Sequence, residues 1–210
     1  MSVSASPEGA LVLRSGADTE MVSGFSREQT RVIADAPGVA RTAEGPLSSA
    51  QLFVIINLPK RSTGTDANVP LRGIEPAALK VRDDLKIVAG RMFTWGKDEV
   101  IVGAGAAREF AGLDVGSTIK VGHYSWPVVG VFSARGGVAE SEIWADVAVL
   151  QPAYHHEDNF QSVHAQLASA GAFDQFAAAL KGDPRLDVKA EREKEFFADQ
   201  SSILTTFIQT

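Results

Sequence analysis

Residues 90–137 read GRMFTWGKDEVIVGAGAAREFAGLDVGSTIKVGHYSWPVVGVFSARGG, and the glycines of this run limit most sharply what the chain can fold into. A Gly-Arg-x-Phe turn, an apolar strand, a small-residue helix and a Trp-containing hairpin follow one another, with glycine where the backbone must turn. Almost no chemically reactive side chain interrupts the run. It therefore reads as structural grammar, not as an active site.

The chain has 210 residues, 45% of them hydrophobic, enough to bury one sizeable core or two small domains that share one. Twenty Lys and Arg against 26 Asp and Glu leave a net charge of −6, which offers no attraction to nucleic acid or anionic lipid and excludes nucleic acid as the main partner. Cysteine is absent, so thiolate zinc sites, disulfide frameworks and thiol catalysis are excluded, while the redox compartment stays open. The opening MSVSASPEGALVLRSG lacks the basic and apolar regions of a secretory signal. No stretch reaches the roughly 18 apolar residues of a membrane helix, so the sequence by itself reads as a soluble polypeptide.

Ala10-Leu11-Val12-Leu13 is a short apolar strand, and Ser26-Arg27-Glu28-Gln29 has the form of a capping box. The spacing predicts a helix over 27–36 with Val32, Ile33 and Ala36 on its apolar face, stopped by Pro37-Gly38. A strongly β-prone run over 51–58 and a second strand over 69–74 predict a hairpin with a long polar loop at 60–68. Near the C-terminus the order repeats. A strand over 162–167 alternates Val163, Ala165 and Leu167 against Ser162, His164 and Gln166. A helix carrying Phe173, Phe176, Ala177 and Leu180 follows, then a returning strand over 186–190. Two βαβ-like units thus bracket a glycine-rich segment over 77–154, which predicts an α+β chain with a split outer subdomain and an inserted one. The final run over 195–210 is amphipathic through Phe196, Phe197, Ile203, Leu204, Phe207 and Ile208, and is expected to form a helix packed on the core or a stalk leading to a membrane helix.

Val100-Ile101-Val102-Gly103-Ala104-Gly105 begins like a dinucleotide fingerprint, but the third glycine position holds Arg108, no acidic residue ends a second strand about 20 residues on, and a glycine-punctuated hairpin is expected to follow instead of a parallel strand. Gly103 and Ala106-Ala107 are instead expected to be small because a helix packs closely on a strand. His155-His156-Glu157-Asp158 is read as a solvated loop, since adjacent histidines point to different sides. Asp83-Asp84, Asp98-Glu99, Glu140 and Glu142 are read as solvated acids, and no Gly-x-Ser-x-Gly elbow or hydrolase triad spacing is present. Trp126 and Trp144 are read as core or rim aromatics. The polar loops at 60–68 and 135–137 are idle or contact a partner. No catalytic, cofactor-binding or metal-binding residue is assigned.

Three features recur in order: Gly90-Arg91-Met92-Phe93, then Glu99-Val100-Ile101-Val102-Gly103 with Ala106-Ala107, then Val115-Gly116 before Val128-Val129-Gly130-Val131. With the hairpin ending in Arg72-Gly73-Ile74-Glu75-Pro76, they resemble the extracytoplasmic domain of MacB-like (FtsX-like) ABC transporter permeases. The resemblance implies a porter-like subdomain from residues 1–76 and 155–210, carrying an inserted, small α+β, Sabre-like subdomain at 77–154. It implies a loop excised from between two membrane helices, with Met1 added at its start, on the periplasmic side of the inner membrane. It also implies a mechanical role. An ATPase subunit would drive two permease chains through the membrane helices, and the domain would pass that motion to export of a peptide or lipoprotein, or to a periplasmic adaptor. No Gly-x-x-x-x-Gly-Lys-Ser/Thr motif occurs in the chain, and the resemblance supplies no catalytic residue and no cofactor. A second reading is a free-standing extracytoplasmic ligand-binding protein or enzyme, which a deep pocket with converging polar groups would mark. A third is an adhesion or scaffold domain, with which no ATPase would co-purify. A transport module should bring its termini side by side, pointing the same way.

Overall fold

The computed structural model describes residues 8–80, 82 and 84–208, and of residues 201–208 the backbone alone. The chain opens with β1 (Gly9–Arg14), β2 (Phe25–Ser26) and α1 (Arg27–Ala34), followed by the short pair β3 (Arg41–Thr42) and β4 (Gly45–Pro46). The long hairpin β5 (Ser48–Pro59) and β6 (Asp66–Ile74) leads to α2 (Ala77–Lys80). The central segment then gives β7 (Lys86–Gly90), β8 (Val100–Gly103), α3 (Ala104–Glu109), β9 (Thr118–Val121), β10 (Tyr124–Ser133), β11 (Ile143–Asp146) and α4 (Val147–Ala153). The chain closes with β12 (Asn159–Phe160), β13 (Ser162–Gln166), α5 (Phe173–Gly182), β14 (Val188–Arg192) and α6 (Glu193–Ile208).

One continuous sheet runs β14-β1-β13-β5-β6-β11-β8-β10-β7, with β9 beside β10. β1 is antiparallel to both β13 and β14, and β13 is antiparallel to β5. Hence β1 and β5 run the same way with β13 between them, and β13 and β14 run the same way with β1 between them. The expected βαβ-type units, β1–α1–β5 and β13–α5–β14, are therefore present, each split by a strand of the other. The sheet continues through the β5–β6 hairpin into the central segment, where β6 pairs parallel with β11. There β8 pairs parallel with β10, so a parallel strand does follow α3, contrary to the expectation of a hairpin in its place: the second strand of the β9–β10 hairpin is long enough to lie along β8 as well.

Period-2 alternation divides the sheet into two unlike faces. Ala10, Val12, Ala50, Leu52, Val163 and Ala165 face the helices, where Ile33, Phe176 and Leu180 complete a large core. The opposite face carries Leu11 and Leu13, covered by Ala17 and Phe196 of α6. Beside them it carries Ser49, Gln51, Ser162 and His164, and farther along a second apolar cluster of Ile74, Phe93, Ile101, Phe132 and Trp144.

α1 starts at the expected capping box: Ser26 Oγ accepts from Gln29 N–H at 3.2 Å and Gln29 Oε1 from Ser26 N–H at 2.9 Å. It ends at Ala34, short of residue 36, and its buried positions are Thr30 and Ile33. The β5–β6 ladder runs out to Pro59 opposite Asp66, so the loop is 60–65 and not 60–68. Pairing with β5 holds Asp66-Ala67-Asn68 extended against their weak strand preference. In the Gly-Arg-x-Phe turn Gly90 has φ +66, a conformation that favours glycine, and Phe93 enters the second core cluster. A Cβ at Gly90 would land on the Val129 carbonyl and one at Gly130 on the Arg91 carbonyl, so these glycines let β7 and β10 meet where the β10 register shifts. Gly103 is small for a reason other than the expected helix-on-strand packing: the backbone of Glu140, in the turn over 138–141, lies directly on it.

Gly103→Ala should therefore cost about 1–3 kcal/mol, read as a lowered urea midpoint with unchanged m-value. Ser26→Ala removes one orphan-donor partner at the α1 start and should cost about 1 kcal/mol in the same assay.

Candidate functional site

β6 carries Arg72 in its apolar second half, between Leu71 and Gly73 and opposite Phe53 of β5, and buries it to 4% exposure. A guanidinium cannot shed its proton, so burial requires acceptors for five N–H groups. The fold supplies them from segments far apart. Glu142, just before β11, accepts from Nε and Nη2 at 2.9 Å each. Glu20, on a short turn between β1 and β2, accepts from Nη1 at 2.7 Å and Nη2 at 3.0 Å. Gln51 Oε1 accepts the remaining Nη1 hydrogen at 3.0 Å. The carboxylates are held in turn: Trp144 Nε1–H donates to Glu142 at 2.9 Å, and Ser162 O–H to Glu20 at 2.6 Å. The guanidinium also lies 4.8 Å from the centre of the Phe53 ring.

His164 extends this layer to the C-terminal helix. Its Nε2 lies 3.5 Å from Glu20 Oε2, and its Nδ1 lies 3.5 Å from Glu193 Oε1 at the first position of α6. Three carboxylates thus surround Arg72 and His164, and a protonated ring brings the cluster closer to neutrality. Burial disfavours the charged ring, yet hydrogen bonds to Glu193 and Glu20, and their charges, outweigh it and raise the His164 pKa to about 9. Burial likewise opposes the Glu20 charge, but Arg72 and then His164 hold that carboxyl well below the usual range. Burial opposes the Arg72 charge too, and Glu142 and Glu20 raise its pKa beyond the ordinary arginine value. The Glu20–Arg72–Glu142 part of the layer is buried, its His164–Glu193 end is partly exposed, and the whole holds distant segments together.

The acids read as solvated are mostly not so. Glu142 and Glu140 are buried, the latter accepting from Gly136 N–H, and Asp84 is buried against Arg82. Glu99 accepts from Thr94 N–H at 2.8 Å and pairs with Arg91 at 2.6 Å, and hydrogen bonds from Arg91 and Thr94 lower its pKa to about 2. Asp98 is exposed, and Asp83 lies outside the described residues. Ser162, expected on a solvent side, is fully buried under Glu20. His155 is exposed at φ +58, and His156 is hydrogen-bonded to Asn159 at 3.2 Å, so neither converges on His164. Trp126 and Trp144 are both buried, as expected of core aromatics. A groove of about 370 Å³ between α1 and α5 is lined by Glu28, Arg31, Asp35, Asp183 and Arg185 among others. Asp183 is held down at about 2 by hydrogen bonds from its own neighbour Arg185.

Glu20 drew no attention in the sequence, because nothing local marks a carboxylate as buried. Arg72 inside Val69-Pro70-Leu71-Arg72-Gly73-Ile74 was the available signal, since a charge within an apolar strand calls for a buried partner.

Arg72→Met would leave Glu20 and Glu142 buried without a cation and should cost about 3–5 kcal/mol, measured by urea unfolding at pH 7. The pH profile follows from the signs. The raised His164 pKa gives stability that is complete below the unfolded value near 6.5 and lost as pH rises through about 9. The depressed Glu20 pKa gives stability present above about 4.5 and lost as pH falls below it. His164→Gln should therefore flatten the alkaline limb between pH 7 and 10 and only partly weaken the acid limb, because Arg72 still holds the Glu20 carboxyl down.

Solved structures share this fold. The extracellular domain of the noncanonic ABC-type transporter YknZ from Gram-positive bacteria superposes with a TM-score of 0.61 at 19% identity, covering 87% of this chain and 99% of that one. The periplasmic region of MacB from Actinobacillus actinomycetemcomitans superposes with a TM-score of 0.59 at 13% identity, covering 97% of this chain and 94% of that one. No curated protein matches the sequence. Among the described residues no helix is long and apolar enough to cross a membrane. The MacB-like periplasmic core domain matches residues 2–183. With the sheet order, the two split units and this match in hand, the chain belongs to the MacB-like periplasmic core domain family of ABC transporter permeases.

Proposed function

We propose that the domain is a mechanical coupler: it receives ATP-driven motion through membrane helices flanking it in the permease and passes it to substrate export or partner engagement. The observation that carries this reading is the interleaving of β1–α1–β5 with β13–α5–β14. β1 pairs directly with both β13 and β14, so displacement at either end of the chain enters the same part of one sheet. Glu8 O accepts from Leu167 N–H at 2.8 Å at the edge where Arg192 pairs with Ala10 and α6 begins, which makes the entering strand and the exit helix neighbours.

The course of α6 beyond that point differs from the expected parallel exit. The helix turns back along β1, placing Phe196 on Leu11, Leu13 and Ala17, and Gln200 Nε2 donates to Asp18 O at 3.3 Å. Covering that apolar strip drives the reversal. The side chains of Ile203, Leu204, Phe207 and Ile208, which the sequence placed on an amphipathic stalk, lie outside the described residues, as does Thr210.

In this reading residues 1–76 and 155–210 act as a porter-like subdomain and 77–154 as a Sabre-like one, the two moving through the β5–β6 hairpin. The domain performs no catalysis itself. Its partners are an ATPase subunit, a second permease chain, and an adaptor or a peptide or lipoprotein cargo, at the periplasmic face of the inner membrane. The ligand-binding or enzyme alternative would need a deep pocket of convergent polar groups, and nothing in the open α1–α5 groove favours it.

Asp18→Cys with Gln200→Cys in the intact permease, with any cysteine outside these 210 residues replaced by serine, should allow an oxidised tether between α6 and the loop after β1; the 210 residues themselves contain no cysteine. Oxidation should abolish cargo release or adaptor engagement, and reductant should restore it. Unchanged activity of the fully tethered permease would remove the mechanical reading.

A further inference from the structure

Glu193 opens α6 immediately after β14, where the chain reverses direction. From it an unbroken series of ionic contacts crosses the second face of the sheet: Glu193 to His164 at 3.5 Å, His164 to Glu20 at 3.5 Å, Glu20 to Arg72 at 2.7 Å and Arg72 to Glu142 at 2.9 Å. The far end, Glu142, is joined through Trp144 to β11 of the central segment.

His164 occupies an unusual place in this series. Its Nε2 also stands 3.4 Å from Arg72 Nη1, so a protonated ring faces a permanent cation as well as a carboxylate. The groups facing it are Arg72 from β6, Glu20 from the turn after β1 and Glu193 from α6, with the Phe197 ring 6.5 Å away. Glu191 of β14 shares its sheet face one strand beyond Leu11, and that carboxylate lies 3.9 Å from Lys189. Two carboxylates hold the proton against Arg72, and one of them belongs to α6. If α6 shifts, the ring loses Glu193, Arg72 repels the proton that remains, and Arg72 is left as the one cation on Glu20, beside the Ser162 hydroxyl.

We propose that His164 is a positioning residue that couples the seating of the first turn of α6 to the Arg72–Glu142 pair, so that the exit helix and the central segment report on each other through charge. This rests on the reading of the domain as a motion coupler. It concerns how motion crosses the sheet, not whether the domain belongs to a permease.

The test uses the full 210-residue chain. The His164 imidazole is titrated by NMR, and amide exchange is followed at residues 194–200, in the parent, Glu193→Gln, Glu142→Gln and the double variant. Glu193→Gln should lower the His164 titration midpoint by at least about one unit. Glu142→Gln, which touches neither His164 nor α6, should reduce protection in the first turns of α6. The double-variant cycle should depart from additivity by about threefold or more in protection. Should Glu142→Gln fail to fold, Trp144→Phe replaces it, removing the indole donor to Glu142 together with part of the ring packed on Phe132, and Phe132→Leu serves as the control for lost packing alone. A midpoint unmoved by Glu193→Gln, or a cycle additive to within that factor, overturns the coupling. The cysteine-tether result would then still decide the mechanical reading separately.

Discussion

The Arg72 guanidinium is a permanent charge placed in a layer that excludes water, and such a group is tolerable only when every N–H meets an acceptor. Its carboxylate partners come from 52 residues upstream and 70 residues downstream. The sheet therefore cannot close around Arg72 until the loop after β1 and the segment before β11 have both arrived. Apolar burial drives the chain together without direction, whereas this cluster specifies which strands lie beside which. Gln51, Ser162 and Trp144 serve it by occupying lone pairs and donors that would otherwise be left unpaired.

The unlike faces of the sheet give the domain its layout. On one, an aliphatic and aromatic core holds α1, α4 and α5 against the strands. On the other, polar groups in β13, β5 and β6 lie between the Leu11–Leu13 strip and the Trp144 cluster. That second face is where both ends of the chain meet the central segment. Among the described residues, the contacts that seat α6 there include Phe196 and Phe197 on the Leu11–Leu13 strip, the Glu193–His164 ion pair and the Gln200–Asp18 hydrogen bond.

Close backbone approach governs the central segment in the same way that charge governs the network. Gly90 with Gly130, and Gly103 with Glu140, mark points where two chain segments touch without a Cβ between them. Gly73 is a further case, since a Cβ there would stand 2.8 Å from the Cα of Val147 at the start of α4. The glycine pattern that dominates the sequence of this segment thus records contacts between segments as much as turns.

Local signals were enough for the elements whose physics is local. The capping box at Ser26, the alternation of β13, the spacing of Phe176 and Leu180 and the apolar run of β5 announced their strands and helices, and the repeated order announced two βαβ-type units. The order of family motifs pointed to the permease domain for the same reason, because it is a property of the chain read in one dimension. The extent of the β5–β6 ladder, the interleaving of the two units and the reversal of α6 were decided in three dimensions, by pairing partners distant in sequence. The same holds for the charge network. Burial of Glu20, Glu142 and Ser162, and partial burial of His164, are set by what covers them, and ionisation follows burial and neighbours, so a carboxylate in a turn reads as solvated until the tertiary fold places Arg72 against it.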